Sequence, residues 1–360
     1  MEIRVALVGI GNCASALIQG VEYYKNINED MKVPGLMHVN FGGYYVHNIK
    51  FVAAFDVNRK KIGKDLSEAL WVEPNVCAKF ADVPFLGVSV LPGPILDGVA
   101  PHMKAPFHTY NDEKARVRAS NVTQSLRETK ADMLVNFLPV GSHNATLLYA
   151  QACLDAKCAF INCIPEFVAS DEEWSNKFRE KGLPVAGDDI KSQLGATILH
   201  RNLVKLCIDR GIEVEETYQL NLGGNTDFLN MTVEDRLKTK RISKTEAVTS
   251  LLPYKVPTRI GPSDYVPFLK DKKICYIYIK GRKFGDQPVI ARVKLEVEDS
   301  PNSAGVAIDV IRAVKLANDR GIAGPLTSIS SYAFKHPPVQ VPDDLARKWV
   351  EDFINEKRDR

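Results

Sequence analysis

Short apolar runs alternate with amphipathic stretches through the first half of the chain. Residues 3–8 (IRVALV) read as a strand and residues 12–24 as a helix, and residues 50–56 (KFVAAFD) form an apolar run ending in an acid. Residues 133–139 (MLVNFLP) form another strand, 143–157 a helix and 159–165 (AFINCIP) a further strand. Ser170 and Glu173 have capping-box spacing, which predicts a helix start there. That helix stops at Gly182, and residues 183–186 begin one more strand. Apolar strands alternating with helices predict right-handed β-α-β crossovers and a mostly parallel sheet covered on both faces, a Rossmann-type doubly wound α/β fold. From about residue 213 the period becomes two: residues 216–222, 275–279 and 289–298 each alternate apolar with polar. One apolar and one wet face mark a second, α+β domain with an open, largely antiparallel sheet, free to pack on a helix or another subunit. Residues 304–320 then carry a helical stripe (Val306, Val310, Val314, Ala317) closed by Gly321. The expected division is residues 1–190, with 306–360 packing back on them, and residues 191–305.

Composition narrows the class. A chain of 360 residues exceeds the roughly 250–300 beyond which single cores divide, in agreement with two domains. A net charge of +3 from 47 basic and 44 acidic residues, with no long basic tract, gives no reason to expect nucleic acid. No run approaches about 18 apolar residues, so no membrane span is expected. The N-terminus has no signal-peptide pattern. The seven cysteines form no C-x-x-C pair, and Cys153, Cys158 and Cys163 read as small buried hydrophobes. A reduced, cytoplasmic protein is the expectation.

Directly after the first strand comes Gly9-Ile10-Gly11-Asn12-Cys13-Ala14, a G-x-G-x-x-A pattern. The first glycine permits the tight turn, the second lets backbone approach a pyrophosphate, and Ala14 lets the helix pack closely on the strand. The helix start offers free N–H groups and partial positive charge to phosphates. Asp56, ending the second strand, is placed to take ribose hydroxyls, which favours NAD over NADP; its other reading is a solvated strand-end acid. The usual interval is about 20 residues. Here it is more than twice that, and residues 25–48, with Pro34-Gly35 and Gly42-Gly43, can form an excursion that leaves the sheet unchanged.

Four more segments carry chemical side chains. Residues 187–192 (GDDIKS) end a strand and open a helix, where open α/β sheets hold ligands; Asp188 and Asp189 also suit a helix cap. Residues 223–228 (GGNTDF) follow a strand. In residues 238–244 (KTKRISK), Lys240 and Lys244 share one helical face. Residues 299–305 (DSPNSAG) join a strand to a helix, with Ser303 in position to cap it.

Together these segments resemble one family, the myo-inositol-1-phosphate synthases in their short prokaryotic form. The likeness runs through GIGNCAS, YYKN, FVAAFDV, GDDIKS, NLGGNTDFLN, KRISK, IGPSDYV, EDSPNSAG and SSYAFKHPP, in fixed order over nearly the whole chain. It implies conversion of D-glucose 6-phosphate to 1D-myo-inositol 3-phosphate, with NAD regenerated in each turnover. C5 is oxidised to a ketone, the C6 proton is lost, the enolate closes on the C1 aldehyde, and C5 is reduced again. Negative charge develops on O5 and then O1, and lysines can donate to both. By resemblance Lys240 transfers a proton at O5, Lys244 binds phosphate or supports the enolate, and Lys335 holds the O1 oxyanion. A fourth lysine corresponds to Lys273, with Lys270 and Lys272 as alternatives. Asp189 and Asp227 match acids around these lysines, and Ser192 and Asn225 match substrate-binding positions. Gly9, Gly11, Asn12, Cys13, Ala14, Asp56, Ser142, Asp188, Asp299 and Ser300 match the cofactor site.

The sequence departs from the longer eukaryotic pattern at residues 138–142 and 192–197, which puts the contacts of Ser142 and Gln193 in doubt. Family members form homotetramers through the sheet of the second domain, which is expected to serve catalysis as well. Some prokaryotic members use a divalent metal; no H-E-x-x-H or cysteine–histidine site occurs here, and the resemblance leaves open a divalent ion coordinated by oxygens and shared with the substrate phosphate. Alternative classes are a sugar-phosphate dehydrogenase or epimerase and a catalytically silent NAD sensor, which would need the glycine loop but not the lysines.

Overall fold

A computed structural model describes residues 1–31, 33–104, 107–111, 121–233 and 238–360. Its first half lays down β1 (Ile3–Val8), α1 (Asn12–Tyr23), β2 (Ile49–Asp56), β3 (Val90–Pro92), β4 (Met133–Asn136), α2 (His143–Ala156), β5 (Ala159–Asn162), α3 (Glu172–Glu180) and β6 (Pro184–Ala186). After these come α4 (Ala196–Asp209), β7 (Glu213–Gly223), α5 (Thr226–Asn230), α6 (Lys238–Thr249), β8 (Thr258–Tyr265), β9 (Lys272–Lys283) and β10 (Gln287–Glu298). The chain continues through α7 (Asp299–Asp319), β11 (Gly324–Pro325) and α8 (Thr327–Ala333).

Seven strands form one sheet in the order β11-β6-β5-β4-β1-β2-β3, every pairing parallel. Its inner strands β4 and β5 are buried along their whole length, the reason they read as unbroken apolar runs. β1 and β2 are neighbours despite the long interval between them. The excursion is tied to α7 by the fully buried Arg312, whose guanidinium donates to the carbonyls of His38 (2.8 Å), Val39 (3.0 Å) and Tyr44 (3.2 Å). Val306, Val310, Val314 and Ala317 of α7 share one core with Ile3, Leu7 and Leu17.

The second sheet runs β10-β9-β7-β8. β10–β9 and β9–β7 are antiparallel and β7–β8 is parallel, so the sheet is mixed. The edge strand β8 was not anticipated, because Gly261-Pro262 punctuates its run. Beneath this sheet, Ala196 and Val204 of α4 pack with Val214, Ile260, Cys275, Ile277 and Ile279.

Two local expectations need correction. The cap of α3 is Asp171, whose carboxylate accepts from Trp174 N at 3.0 Å; Ser170 instead donates its hydroxyl to Asp188 at 2.7 Å. An acid one residue later outcompetes the serine, and Asp188 gives that serine a better acceptor. α7 begins at Asp299, five residues before the expected start, so Ser303 lies inside it and donates to Ser300 O at 3.0 Å rather than capping. All seven cysteines are free thiols. No helix among the described residues is long and apolar enough to cross a membrane.

Candidate active site

One cavity runs from the glycine loop at the end of β1 to the lysines of α6 and the segment after α8. Its near end is built from backbone. Gly9 has φ +82°, and a Cβ there would stand 2.6 Å from Phe137 O, so only glycine fits the turn. A Cβ on Gly11 would meet nothing within 4 Å, which leaves an open approach to the start of α1. Asp56 borders the cavity and orders the loop: Oδ2 accepts from Ile10 N and Oδ1 from Asn58 N, each at 2.8 Å. Behind it lies Lys61, buried, donating to Ile10 O at 2.5 Å and standing 4.0 Å from Asp56. Burial lowers the affinity of Lys61 for its proton, and Asp56 works against that loss. Asn12 accepts from Val76 N (2.7 Å) and Cys77 N (3.2 Å), pinning a neighbouring loop. Cys13 lines the cavity, but burial pushes its thiol up to about 12, so it serves as a small residue, not a nucleophile.

The far end is built from side chains. Lys240 and Lys244 lie one turn apart on α6 and both face the cavity. Lys240 donates to Asp227 at 2.6 Å. Burial opposes ionisation of Asp227, yet Lys240, aided by Lys244 and Lys273, holds its carboxyl below the ordinary range. Lys335 donates to Asp189 (2.7 Å) and to Ile190 O (2.8 Å), and Ser243 donates to the other oxygen of Asp189 at 2.5 Å. Lys273 pairs with Asp299 at 3.0 Å; burial disfavours its charge, but Asp299 and Asp227 raise its pKa overall. Lys244 differs from these three. Among the described residues it has no ion-pair partner, and burial with the charges of Lys240, Lys273 and Lys335 drives its pKa well below that of a free lysine.

Most of the expected site residues therefore meet in one place: Gly9, Gly11, Asn12, Cys13, Asp56, Asp189, Ser192, Asn225, Asp227, Lys240, Lys244, Lys273, Asp299, Ser300 and Lys335 all border the cavity. Of the three candidates for the fourth lysine, Lys273 borders the cavity, whereas Lys270 and Lys272 are exposed, Lys272 beside Glu296. Ala14 is fully buried in the core, where its size matters for packing. Two residues expected at the cofactor, Asp188 and Ser142, do not border this cavity. Asp188 is fully buried outside the cavity and accepts from Asn162, from the amides of Val168, Ala169 and Ser170, and from the Ser170 hydroxyl. Its carboxylate is consumed in fastening the 162–170 turn. Ser142, also outside, spends its hydroxyl on Pro139 O at 2.6 Å. Gln193 reaches away to Gly35 O at 2.7 Å.

Sequence reasoning missed Lys61 and Asp271. Buried Asp271 accepts from the Ser300 hydroxyl (2.8 Å), Ser300 N (3.2 Å) and Asn225 Nδ2 (3.1 Å). Burial and the nearby Asp299 push its carboxyl up to about 6. Its signal, an acid inside the run 270–273 (KDKK), was masked by the lysines around it.

Known proteins place this arrangement. The family model described as myo-inositol-1-phosphate synthase matches residues 195–300. An inositol-3-phosphate synthase of Mycobacterium tuberculosis (strain CDC 1551 / Oshkosh) is 53% identical over 356 residues, 98% of this chain and 96% of its own. One from Corynebacterium glutamicum is 52% identical over 362 residues, covering 98% of both chains. A myo-inositol-1-phosphate synthase-related protein from Thermotoga maritima, at 24% identity, shares the fold with a TM-score of 0.82 over 99% of each chain. This chain belongs to the myo-inositol-1-phosphate synthase family.

Proposed function

We propose that this protein is an inositol-3-phosphate synthase, converting D-glucose 6-phosphate to 1D-myo-inositol 3-phosphate with no net redox change. The observation that carries the reading is the meeting of four lysines and their acids in the same cavity as the glycine loop. A nucleotide sensor has no use for the lysines, and a simple dehydrogenase has no ring to close.

The near end fits NAD: open backbone beside Gly11 for the pyrophosphate, the start of α1 for its charge, and the Asp56 carboxylate for ribose hydroxyls. The chemistry a bound NAD would supply there is reversible hydride exchange with C5. Asp299 and Ser300 would border the nicotinamide. Among the described residues no group of three or more His, Cys, Asp or Glu side chains could hold a metal ion.

Lys240, steadied by Asp227, moves the proton at O5 and donates to that oxygen as the enolate forms. Lys335, fixed by Asp189, donates to O1 as it becomes negative during ring closure. Lys273 supports the same polar wall, and Ser192 and Asn225 hold the sugar chain. Lys244, pressed by three like charges, gains most from a dianionic phosphate beside it and is assigned to that group.

In this reading residues 1–190 with 306–360 form the nucleotide-binding unit and residues 191–305 the catalytic and assembling unit. A homotetramer through the second sheet is supported by its outer face. There Tyr218, Leu220, Tyr276 and Ile290 are 37–45% exposed, and Tyr218 stacks on Tyr278. A cytoplasmic location accords with the free thiols.

The test is incubation with glucose 6-phosphate and NAD. Phosphorylated inositol forming without accumulation of NADH is the expected result. Stoichiometric NADH would turn the reading into a dehydrogenase, and NAD binding without turnover into a sensor.

A further inference from the structure

Thr217, Gln219 and Asn221 alternate along β7, so all three point to one face, and each is at most 2% exposed. They form a line with His200 of α4, itself fully buried. His200 Nε2 lies 2.7 Å from Thr217 Oγ1 and His200 Nδ1 lies 3.3 Å from Gln219 Oε1. Gln219 Nε2 in turn lies 2.9 Å from Asn221 Oδ1. Gln219 and Asn221 border the cavity, and Asn221 Nδ2 is buried with no hydrogen-bond partner among the described residues.

Proton accounting along this line fixes its direction. Thr217 has one hydroxyl hydrogen, and the 2.6 Å contact with Tyr278 O claims it, because a carbonyl cannot donate. Thr217 therefore accepts from His200 Nε2–H. Burial pushes the His200 pKa down to about 4, so the ring is neutral and Nδ1 carries a lone pair. A lone pair facing Gln219 Oε1 sets two acceptors against each other. Turning both amides by half a rotation removes the conflict without moving any heavy atom position. Gln219 NH2 then donates to His200 Nδ1, and Asn221 NH2 donates to Gln219 Oε1. The oxygen of Asn221 takes the place of the orphaned nitrogen.

Building on the proposed reaction, we infer that Asn221 presents its carboxamide oxygen to a hydroxyl of the sugar phosphate. His200, acting through Gln219, is the positioning residue that fixes this polarity. The chemistry asks for such a group. Four lysines supply donors to the substrate's oxygens, but each sugar hydroxyl also carries a hydrogen that needs an acceptor inside the cavity.

Fluorine accepts but does not donate, so glucose 6-phosphates with fluorine replacing the hydroxyl at carbon 2, 3 or 4 read the polarity. In wild type, one of the three should raise KM about tenfold beyond the others, the usual cost of one unmade buried hydrogen bond. That excess should vanish in Asn221→Leu and in His200→Phe, because each raises KM for the parent sugar to a similar extent, with NAD affinity unchanged. The double variant should be no worse than Asn221→Leu alone. Gln219→Met cuts the line without touching the imidazole and serves if His200→Phe does not fold. A wild type that tolerates all three fluorinated sugars, or effects of His200→Phe and Asn221→Leu that add, overturns the inference. A wild type that makes no inositol phosphate from the parent sugar rejects the proposed reaction instead.

Discussion

The two ends of the cavity solve the same problem, holding negative charge, with different materials. At the glycine loop the donors are main-chain amides of one contiguous segment, set by a turn that only Gly9 can make. At the lysine end they are ammonium groups brought from residues 240, 244, 273 and 335 by α6, β9 and the segment after α8. Backbone donors are neutral and cost little to assemble, but they are fixed and cannot carry protons. Clustered lysines repel one another and need Asp189, Asp227 and Asp299 as counter-charges, yet they can move protons and follow a charge as it shifts along a substrate. A static anion suits the first device and a reacting one the second.

That contrast can be broken by single substitutions. The largest effect is expected from Lys240→Ala: turnover should fall by about 10²–10⁴, the usual span for a lost general acid or base, while NAD binding holds. A variant that lost cofactor affinity and kept its rate would move Lys240 to the wrong end. Lys335→Ala should lower kcat by about 10²–10³, the cost of one oxyanion donor. Full turnover in this variant would remove Lys335 from the O1 site. Gly9→Ala should behave in the opposite manner. Its new Cβ would stand 2.6 Å from a backbone carbonyl at positive φ, destabilising the fold by more than about 1 kcal/mol and weakening NAD binding. At saturating NAD the folded fraction should still turn over. Thermal unfolding and NAD titration separate these patterns, and a Gly9→Ala protein with wild-type affinity would refute the steric account.

The same contrast explains what could be seen in the sequence. The glycine loop, Asp56 and the parallel strands are local patterns, and each sits where its period and punctuation place it. The lysine end is not local. Lys335 meets Asp189 across 146 positions of chain, and no periodicity links them; only the family resemblance brought KRISK and YAFKHPP together on paper. The exposed residues Lys270 and Lys272 could not be told from Lys273 until β9 fixed which side chain turns inward. Asp188 and Ser142 stand off the cavity that Asp189 and Val140 border, because their own polar atoms turn back to the backbone. Lys61 stayed hidden because a lone lysine among Arg59, Lys60 and Lys64 reads as a solvated run. Burial, not type, sets it apart.

The smallest expected effect sharpens the comparison most, because it distinguishes a reacting acid from a supporting one. Among the described residues Asp271 pairs with no ammonium group and does not border the cavity; it braces Ser300 and Asn225 from behind, with Asp299 as its like-charged neighbour. Its folded pKa of about 6 lies above the ordinary value of 3.8. A carboxyl raised on folding binds its proton more tightly in the native state. Its contribution to stability is therefore fully present below pH 3.8 and is lost as pH rises through 6. The span corresponds to a contribution of at most about 3 kcal/mol. Asp271→Asn cannot titrate, so its stability relative to wild type should grow as pH rises from about 4 to about 6, most steeply near 5, and then level off up to about 7.5. Denaturant midpoints across that range measure it. A constant difference between the two proteins would mean that Asp271 does not titrate in this window, and the like-charge pressure from Asp299 would have to be relieved by some other route.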